Sequence, residues 1–388
     1  MLRTISVLAF SLLCSVQMLQ SQTPAPKDVD IAAPDGIKLR ATYFAAAKPG
    51  PGVLLLHMCN TTRKSWEPVA KELSEKGIHA LTIDNRGFGE SGGPRFEGAS
   101  PEVMKQLNEK WPDDFDAAYQ FLISQPGIDK TRIAFGGGSC GVGNAVQLAE
   151  RHQDLKALVL LAGTTDVNGI NFLVRHAEIP IFTAGAADDQ YSPVTPQIMK
   201  WYSEVSGNPR NKFAGFPNGR HGTEIFGPHP ELVHQIVDFL SDALKGPQTG
   251  PTTPRKTPAS EFWVLATQPG GGARAAQFFH DARQRDPAAI VFPEFAVNLL
   301  GYQRLQDHEN DEAIQLFLLN TEAYPASANT QDSLSDGYLA AGKNDLALKA
   351  EEKCLELLPA DKTMNADLKA TLEKLGKEKI AKLKGEGK

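Results

Sequence analysis

The sequence has few cysteines, no excess of positive charge and only one long hydrophobic run. Four cysteines in 388 residues are too few for a disulfide scaffold, and they lack zinc-finger spacing. Forty basic against 46 acidic side chains give a net charge of −6, so nucleic acid is not an expected partner. The 34 glycines and 26 prolines exclude a collagen-like chain. At about 150 residues per domain, the chain is long enough for two or three globular domains.

The hydrophobic run lies at the N-terminus. Residues 1–4 include a basic side chain, residues 5–19 are mostly apolar, and the chain turns polar from Ser21. This order is typical of a secretory signal peptide, and the run is too short and too interrupted for a membrane-spanning helix. We therefore predict a signal peptide at residues 1–21, export to a periplasmic or extracellular location, and no membrane span after cleavage. An uncleaved N-terminal anchor and lipidation at Cys14 stay as alternatives.

Strand-like and helix-like patterns alternate between residues 28 and 245. Short apolar runs, such as residues 52–57, indicate strands that are buried on both faces, and amphipathic segments separate them. This alternation predicts an α/β domain with a mostly parallel sheet flanked by helices. Residues 246–260 contain four prolines and no apolar periodicity, which indicates a linker. Beyond the linker, residues 261–388 are predicted to be helical only.

The C-terminal region contains an internal repeat. Asn310 recurs as Asn344, and Pro325 recurs as Pro359, both 34 residues later. Each unit has the pattern of a helix, a short polar turn, a second helix and a proline. The period and pattern resemble tetratricopeptide repeats. The resemblance implies an all-α array that could bind a protein partner.

A strand-to-helix turn in the first domain carries the sequence pattern G-x-S-x-G. Gly137 and Gly141 flank Ser139, an apolar strand pattern precedes the turn, and a helical pattern follows it. Glycines at these positions permit a turn so tight that the serine side chain is lifted clear of the backbone. Ser139 is the predicted nucleophile. Cys140 is the less favoured alternative, because Val142 stands where a nucleophile at 140 would require glycine.

A serine nucleophile requires a base and an orienting acid, which follow it in the order acid, then histidine, in this architecture. His221 lies on a glycine-flanked loop after the predicted strand at residues 212–216 and is the predicted base. Asp188 follows the predicted strand at residues 180–184 and is the predicted acid. Asp189 is the second choice and Asp166 the third.

The oxyanion of an acyl-transfer reaction requires backbone N–H donors. One donor is expected from Cys140, the residue after the nucleophile. The other is expected from the loop after residues 52–57, with Cys59 as first choice and Met58 as the alternative.

Residues 84–91, with the pattern D-x-R-G-x-G-x-S, complete a set of motifs that resembles the α/β-hydrolases, close to the dienelactone hydrolase-like branch. The resemblance covers residues 29–244 and implies an eight-stranded, mostly parallel sheet. It also implies hydrolysis of esters, thioesters, lactones or amides through an acyl-enzyme. Two departures stand out. His57 is followed by Met58 where the family has glycine, and dienelactone hydrolases proper have a cysteine nucleophile where this chain has Ser139.

Cys59 and Cys140 have a second possible role. Two residues that donate to one oxyanion hole lie within several ångströms, which suits a disulfide, and an exported protein allows one. We therefore hypothesise a disulfide that holds the oxyanion loop against the turn at Ser139. Cys354 lies on a repeat helix and is expected to be a packing residue.

The predicted function is that of an exported serine hydrolase that acts on a small-molecule acyl substrate with an ester, thioester or lactone bond. No metal site and no cofactor are expected. The connection between residues 162 and 180 is too short for a large helical lid, and residues 92–111 could form a modest flap, so the site is expected to be open. A peptidase of the same fold, and a catalytically vestigial scaffold that acts through its repeats, stay as alternatives.

Overall fold

The computed structural model describes residues 23–247 and 253–385. The predicted signal peptide therefore lies outside the described residues, as does the middle of the predicted linker. The strands are β1 (Lys27–Ala32), β2 (Lys38–Phe44), β3 (Gly50–Leu56), β4 (His79–Ile83), β5 (Ile128–Gly138), β6 (Ala157–Leu161), β7 (Ile181–Ala186) and β8 (Lys212–Phe216). The helices of the first domain are α1 (Glu67–Glu75), α2 (Pro101–Ser124), α3 (Cys140–Arg151), α4 (Val167–Arg175), α5 (Thr195–Val205) and α6 (Glu231–Lys245). Those that follow are α7 (Pro258–Ala266), α8 (Gly271–Arg285), α9 (Glu294–Gln306), α10 (Asn310–Ala323), α11 (Ala328–Ala340), α12 (Asn344–Leu357) and α13 (Ala366–Leu383).

The strands form one sheet in the order β1-β2-β4-β3-β5-β6-β7-β8. The pairs β1–β2 and β2–β4 are antiparallel, and the pairs from β4–β3 onward are parallel. Every residue of β3, β4, β6 and β7 is buried, because α1 and α6 cover one face and α2 to α5 cover the other. The predicted fold class is confirmed: these residues have the fold of the α/β-hydrolases.

Helix α2 is longer than the sequence pattern suggested. The sequence favours a modest flap at residues 92–111, but α2 begins at Pro101 and continues through Pro112. A proline inside a helix removes one backbone hydrogen bond. The apolar stripe nevertheless runs unbroken from Leu107 through Trp111 and Phe115 to Leu122, and all four side chains are buried. Packing of this stripe on the sheet outweighs the local cost of the proline.

The C-terminal helices include two antiparallel pairs with the predicted spacing. Helices α9 and α10 form one pair, α11 and α12 form the next, and corresponding helices begin 34 residues apart. The buried Phe317 ring packs against Gly301 of α9 and Gly337 of α11, where a Cβ atom would come within 3 Å of the ring. The glycines therefore permit close approach of the pairs. The tetratricopeptide resemblance itself stays a prediction.

The helical region shares a hydrophobic core with the first domain. Trp201 of α5, Trp263 of α7 and Phe292 belong to one buried cluster. The Trp201 indole donates to the carbonyl of Val291 at 3.0 Å, and the Trp263 indole donates to Asn171 of α4 at 2.8 Å. The two regions therefore pack as a single body over the described residues.

The predicted linker is shorter than residues 246–260, because α7 already begins at Pro258. Thr257 caps this helix through the Ser260 amide, and proline suits the first helical turn. The N–H of Arg255 donates to the carbonyl of Gly207 at 2.8 Å, so the end of the segment lies against the first domain.

Throughout residues 23–247 and 253–385, helices long and apolar enough to cross a bilayer are absent.

Candidate active site

Ser139 lies between β5 and α3 in a strained turn. Its backbone φ is +53°, a region that residues other than glycine rarely occupy. The neighbouring glycines make this possible: a Cβ on Gly137 would collide with the carbonyl of Gly141, and one on Gly163 would collide with the carbonyl of Ser139. This is the geometry of a nucleophile elbow, and Ser139 lines a large cavity.

His221 lies just after β8, follows Arg220 with its φ of +62°, and lines the same cavity. Its Nδ1 atom is 2.7 Å from Oδ2 of Asp189, whose side chain is fully buried. The other carboxylate oxygen of Asp189 accepts the N–H groups of Tyr191 at 2.9 Å and Ser192 at 3.2 Å. These donors fix the carboxylate. The carboxylate in turn favours the His221 tautomer that has its proton on Nδ1 and a free electron pair on Nε2.

The structure does not bring Asp188, the first choice of acid, to His221; Asp189, the second choice, lies there instead. An oxygen of Asp188 accepts the N–H of Arg220 at 2.8 Å, and its side chain lies at the surface. Strand β7 continues to Ala186, two residues beyond its predicted end, and the N–H of Asp189 then bonds back to the Ala186 carbonyl. This turn directs the second aspartate inward.

Asp166, the third choice, has a structural position. It is the N-cap of α4, where its side chain accepts the N–H of Gly169 at 2.8 Å. A cap of this kind accepts a hydrogen bond from a backbone N–H in the first turn, which has no acceptor within the helix.

Cys59 and Cys140 are joined by a disulfide bond with Cα atoms 5.8 Å apart, and both residues line the cavity beside Ser139. Cys140 is the first residue of α3, so its N–H has no acceptor within the helix and lies at the positive end of the helix dipole. Met58 is fully buried, and its sulfur accepts the N–H of Thr223 at 3.3 Å. The disulfide therefore holds the loop after β3 against the start of α3.

His57 supports the same loop, a role that no sequence motif indicates. Its Nε2 accepts the N–H of Asn85 at 2.9 Å, so its Nδ1 carries the proton and donates to the Met58 carbonyl at 2.6 Å. Complete burial lowers the pKa of His57 to about 4, which keeps the ring neutral. A histidine at the end of a buried strand was the available sequence signal.

The segment at residues 84–91 is held by buried ionic contacts. Asp84 and Arg63 are both buried and form an ion pair, and Asp84 also accepts the N–H groups of Arg63 at 2.7 Å and Glu90 at 2.9 Å. Arg86 pairs with the buried Asp114 at 2.7 Å. Charges removed from water require such partners. The segment therefore forms a rigid support behind His57.

The loop that carries Asp189 is fixed from two further sides. The Tyr191 ring contacts the His221 ring edge-on at 4.7 Å, and the Tyr191 hydroxyl accepts the side-chain N–H of Asn60 at 3.3 Å. Asn365, the N-cap of α13, donates to the carbonyl of Gln190 at 3.3 Å. These contacts could not be predicted from the sequence, because they join segments that are far apart in the chain.

The cavity has a volume of about 1250 Å³, and the helical region forms one of its walls. Ser139 and His221 lie on the wall from the first domain. Phe295 and Leu299 of α9, and Leu372 of α13, lie on the other. The wall that faces Ser139 therefore comes from the second region and not from an insertion in the first.

The described residues contain one cluster with the spacing of metal ligands. Donor atoms of Asp332, Glu351 and Cys354 lie within 4.8 Å of one another. The ammonium group of Lys379 forms ion pairs with Asp332 at 2.7 Å and Glu351 at 2.8 Å, so a cation already belongs to the cluster. Burial raises the pKa of Cys354 to about 12, which keeps it a neutral thiol within the repeat helices.

Comparison with known proteins finds relatives that are named as hydrolases and others that are named as transferases. The family model described as "Serine aminopeptidase, S33" matches residues 47–186. The thiohydrolase aneE of Aspergillus aculeatus is 29% identical over 223 residues, which are 55% of this chain and 65% of that protein. The polyketide transferase claH of Penicillium crustosum is 33% identical over 120 residues, 29% of this chain and 36% of that protein. The chain thus spans less than two thirds of either curated relative. A dienelactone hydrolase from Anabaena variabilis aligns with 57% of this chain and all of its own, with 18% identity and a TM-score of 0.44.

Proposed function

We propose that this chain is an exported serine hydrolase that cleaves ester-type bonds through Ser139, His221 and Asp189. The observation that carries the proposal is the 2.7 Å contact between Nδ1 of His221 and Asp189, with Ser139 on a strained turn that lines the same cavity. These are the groups that nucleophilic acyl transfer requires.

The proposed reaction has two halves. In the first, Oγ of Ser139 bonds to the substrate carbonyl carbon while Nε2 of His221 takes the hydroxyl proton. The tetrahedral intermediate then releases the alcohol or thiol, which receives that proton, and an acyl-enzyme remains. In the second half, water attacks the acyl-enzyme, with His221 again as the base, and releases the acid and free Ser139. Asp189 stabilises the positive charge on His221 in both halves.

The backbone N–H groups of Cys140 and Cys59 are the proposed oxyanion donors. Their residues are joined covalently beside Ser139, so their relative position is set before substrate arrives. Preorganisation of this kind is what gives such donors their catalytic effect. The mechanism requires no cofactor.

The name of the Aspergillus relative, a thiohydrolase, favours a thioester among the ester-type substrates. The disulfide favours an oxidising compartment, in agreement with the proposed export.

A peptidase is the second candidate, because the matching family model is described as a serine aminopeptidase. The two candidates share the same nucleophile and differ in the leaving group. Hydrolysis of amino-acid 4-nitroanilides at a kcat/KM above that of the matching 4-nitrophenyl esters would favour the peptidase.

The proposal is tested by hydrolysis of 4-nitrophenyl acetate and of an acetyl thioester. The Ser139→Ala variant should lose at least about a thousandfold in kcat, because no other group replaces the nucleophile. The control is Ser203→Ala, which removes a serine hydroxyl on α5 that bonds only within its own helix. Unchanged turnover in Ser139→Ala would contradict the assignment.

A further inference from the structure

The helical region is positioned to contact a bound substrate. It shares a buried core with the first domain through Trp201 and Trp263. Asn365 at the start of α13 also bonds the loop that carries Asp189. Both contacts tie the second region to the active-site side of the first. The wall it forms is therefore a fixed part of the site.

The surface of the cavity is predominantly apolar. Phe295 and Leu299 of α9, Met364, and Leu372 of α13 line the cavity opposite Ser139. Pockets that enclose a drug-sized ligand measure about 300–1000 Å³. The volume of about 1250 Å³ exceeds that range. The space accommodates a group much larger than an acetyl group.

The cavity lining also lacks positive charge. Among the described residues that line it there is no lysine or arginine, and its single glutamate is Glu294. That carboxyl group accepts the side-chain N–H of Asn329 at 2.9 Å, and burial raises its pKa. The lining therefore offers no lysine or arginine side chain to pair with a buried phosphate or carboxylate. The chemistry of the wall favours an uncharged hydrocarbon group.

The mouth of the cavity is apolar as well. Six large hydrophobic side chains are substantially exposed in the described residues, and three of them line this cavity: Tyr191 at 46%, Leu368 at 49% and Leu375 at 51%. Exposed apolar groups gathered at one site mark a binding surface more often than single scattered ones do. Leu368 and Leu375 both lie on α13.

We propose that the cavity binds a long, uncharged hydrocarbon chain of the substrate, an acyl group of ten or more carbons, between the Ser139 wall and helices α9 and α13. The inference rests on the proposed hydrolysis at Ser139 and names its substrate class. It gives the helical region a role in substrate selection. This role is separate from the binding of a protein partner, which the repeat pattern suggests.

The first test is a series of 4-nitrophenyl esters from acetate to tetradecanoate. In the unmodified protein, kcat/KM should rise about fourfold for each methylene that leaves water, until the cavity is filled. The double variant Leu368→Glu/Leu375→Glu places two carboxylates at the mouth. Its loss of kcat/KM on the dodecanoate ester should be at least about tenfold greater than its loss on the acetate.

The matched control is Leu318→Glu/Leu346→Glu. These leucines lie on α10 and α12, are 43% and 42% exposed, and do not line the cavity. Their replacement introduces the same two negative charges. The control should keep the chain-length preference. If the unmodified protein hydrolyses the acetate but shows no rise with chain length, the substrate inference is overturned while the hydrolase proposal stands.

A binding measurement separates the two proposals fully. Nile red, an uncharged apolar dye, should bind the cavity with an affinity that falls at least about tenfold in Leu368→Glu/Leu375→Glu and stays within about twofold in the control. This readout does not depend on Ser139. Equal affinity in all three proteins would overturn the inference even if ester hydrolysis were observed, and the expected pattern would support it even if hydrolysis were absent.

Discussion

Replacement of Asp189 by asparagine distinguishes two adjacent aspartates. One carboxylate oxygen of Asp189 accepts the N–H groups of Tyr191 and Ser192, and the other faces Nδ1 of His221 at 2.7 Å. In Asp189→Asn, the two N–H donors will retain the amide oxygen on their side. The amide NH₂ group then faces His221, so Nδ1 must become the acceptor. The proton moves to Nε2, where it prevents removal of the Ser139 proton.

A wrong tautomer of this kind costs about ten-thousandfold in kcat, or about 5.5 kcal/mol of transition-state stabilisation. The matched control is Asp188→Asn. Its side chain is at the surface and accepts only the N–H of Arg220, which an amide oxygen can accept equally well. The control should stay within about threefold of the unmodified protein, in line with the small effects of surface substitutions.

The assay is the steady-state kcat for 4-nitrophenyl acetate, with circular dichroism to establish that both variants are folded. Comparable losses in the two variants would refute the assignment of Asp189. So would an Asp189→Asn variant that keeps more than about a tenth of the activity.

Two further predictions concern stability. The double variant Cys59→Ser/Cys140→Ser opens a loop of 81 residues, so chain entropy predicts a loss of about 4.5 kcal/mol in the free energy of unfolding by urea; an unchanged midpoint would count against the disulfide. The native pKa of His57 is about 4 and the unfolded value about 6.5. The unfolded chain therefore binds a proton first, and stability falls as the pH drops from 6.5 towards 4, by up to about 3 kcal/mol. His57→Gln should flatten this part of the urea-unfolding profile, and an identical slope would show that another group causes it.

Local patterns were sufficient to predict the sheet and the turn that carries Ser139. The strands β3, β4, β6 and β7 are continuous apolar runs that suit a parallel sheet buried on both faces. The turn at Ser139 is specified by glycines whose Cβ atoms would collide with the backbone. His221 could be placed for a similar reason, since it follows a strand on a glycine-flanked loop. In each case the residues that determine the structure are neighbours in the sequence.

Features that depend on distant packing were not accessible in this way. The choice between Asp188 and Asp189 depends on where β7 ends and how the next turn rotates. The apolar stripe that carries α2 through Pro112 acts only once the helix lies on the sheet. The cover over the cavity comes from α9 and α13, more than 150 residues after Ser139. Its position is set by tertiary contacts such as that of Trp201 with the Val291 carbonyl.

The central claim is that Ser139 is the nucleophile, and covalent labelling with a fluorophosphonate tests it most directly. Tryptic cleavage after Arg132 and Arg151 releases residues 133–151, in which Ser139 is the only residue that bears a hydroxyl group. After reduction of the disulfide, mass spectrometry should find a single phosphonyl group on this peptide, and none in Ser139→Ala. A phosphonyl group on any other peptide, or an unlabelled protein that is fully folded, would contradict the account.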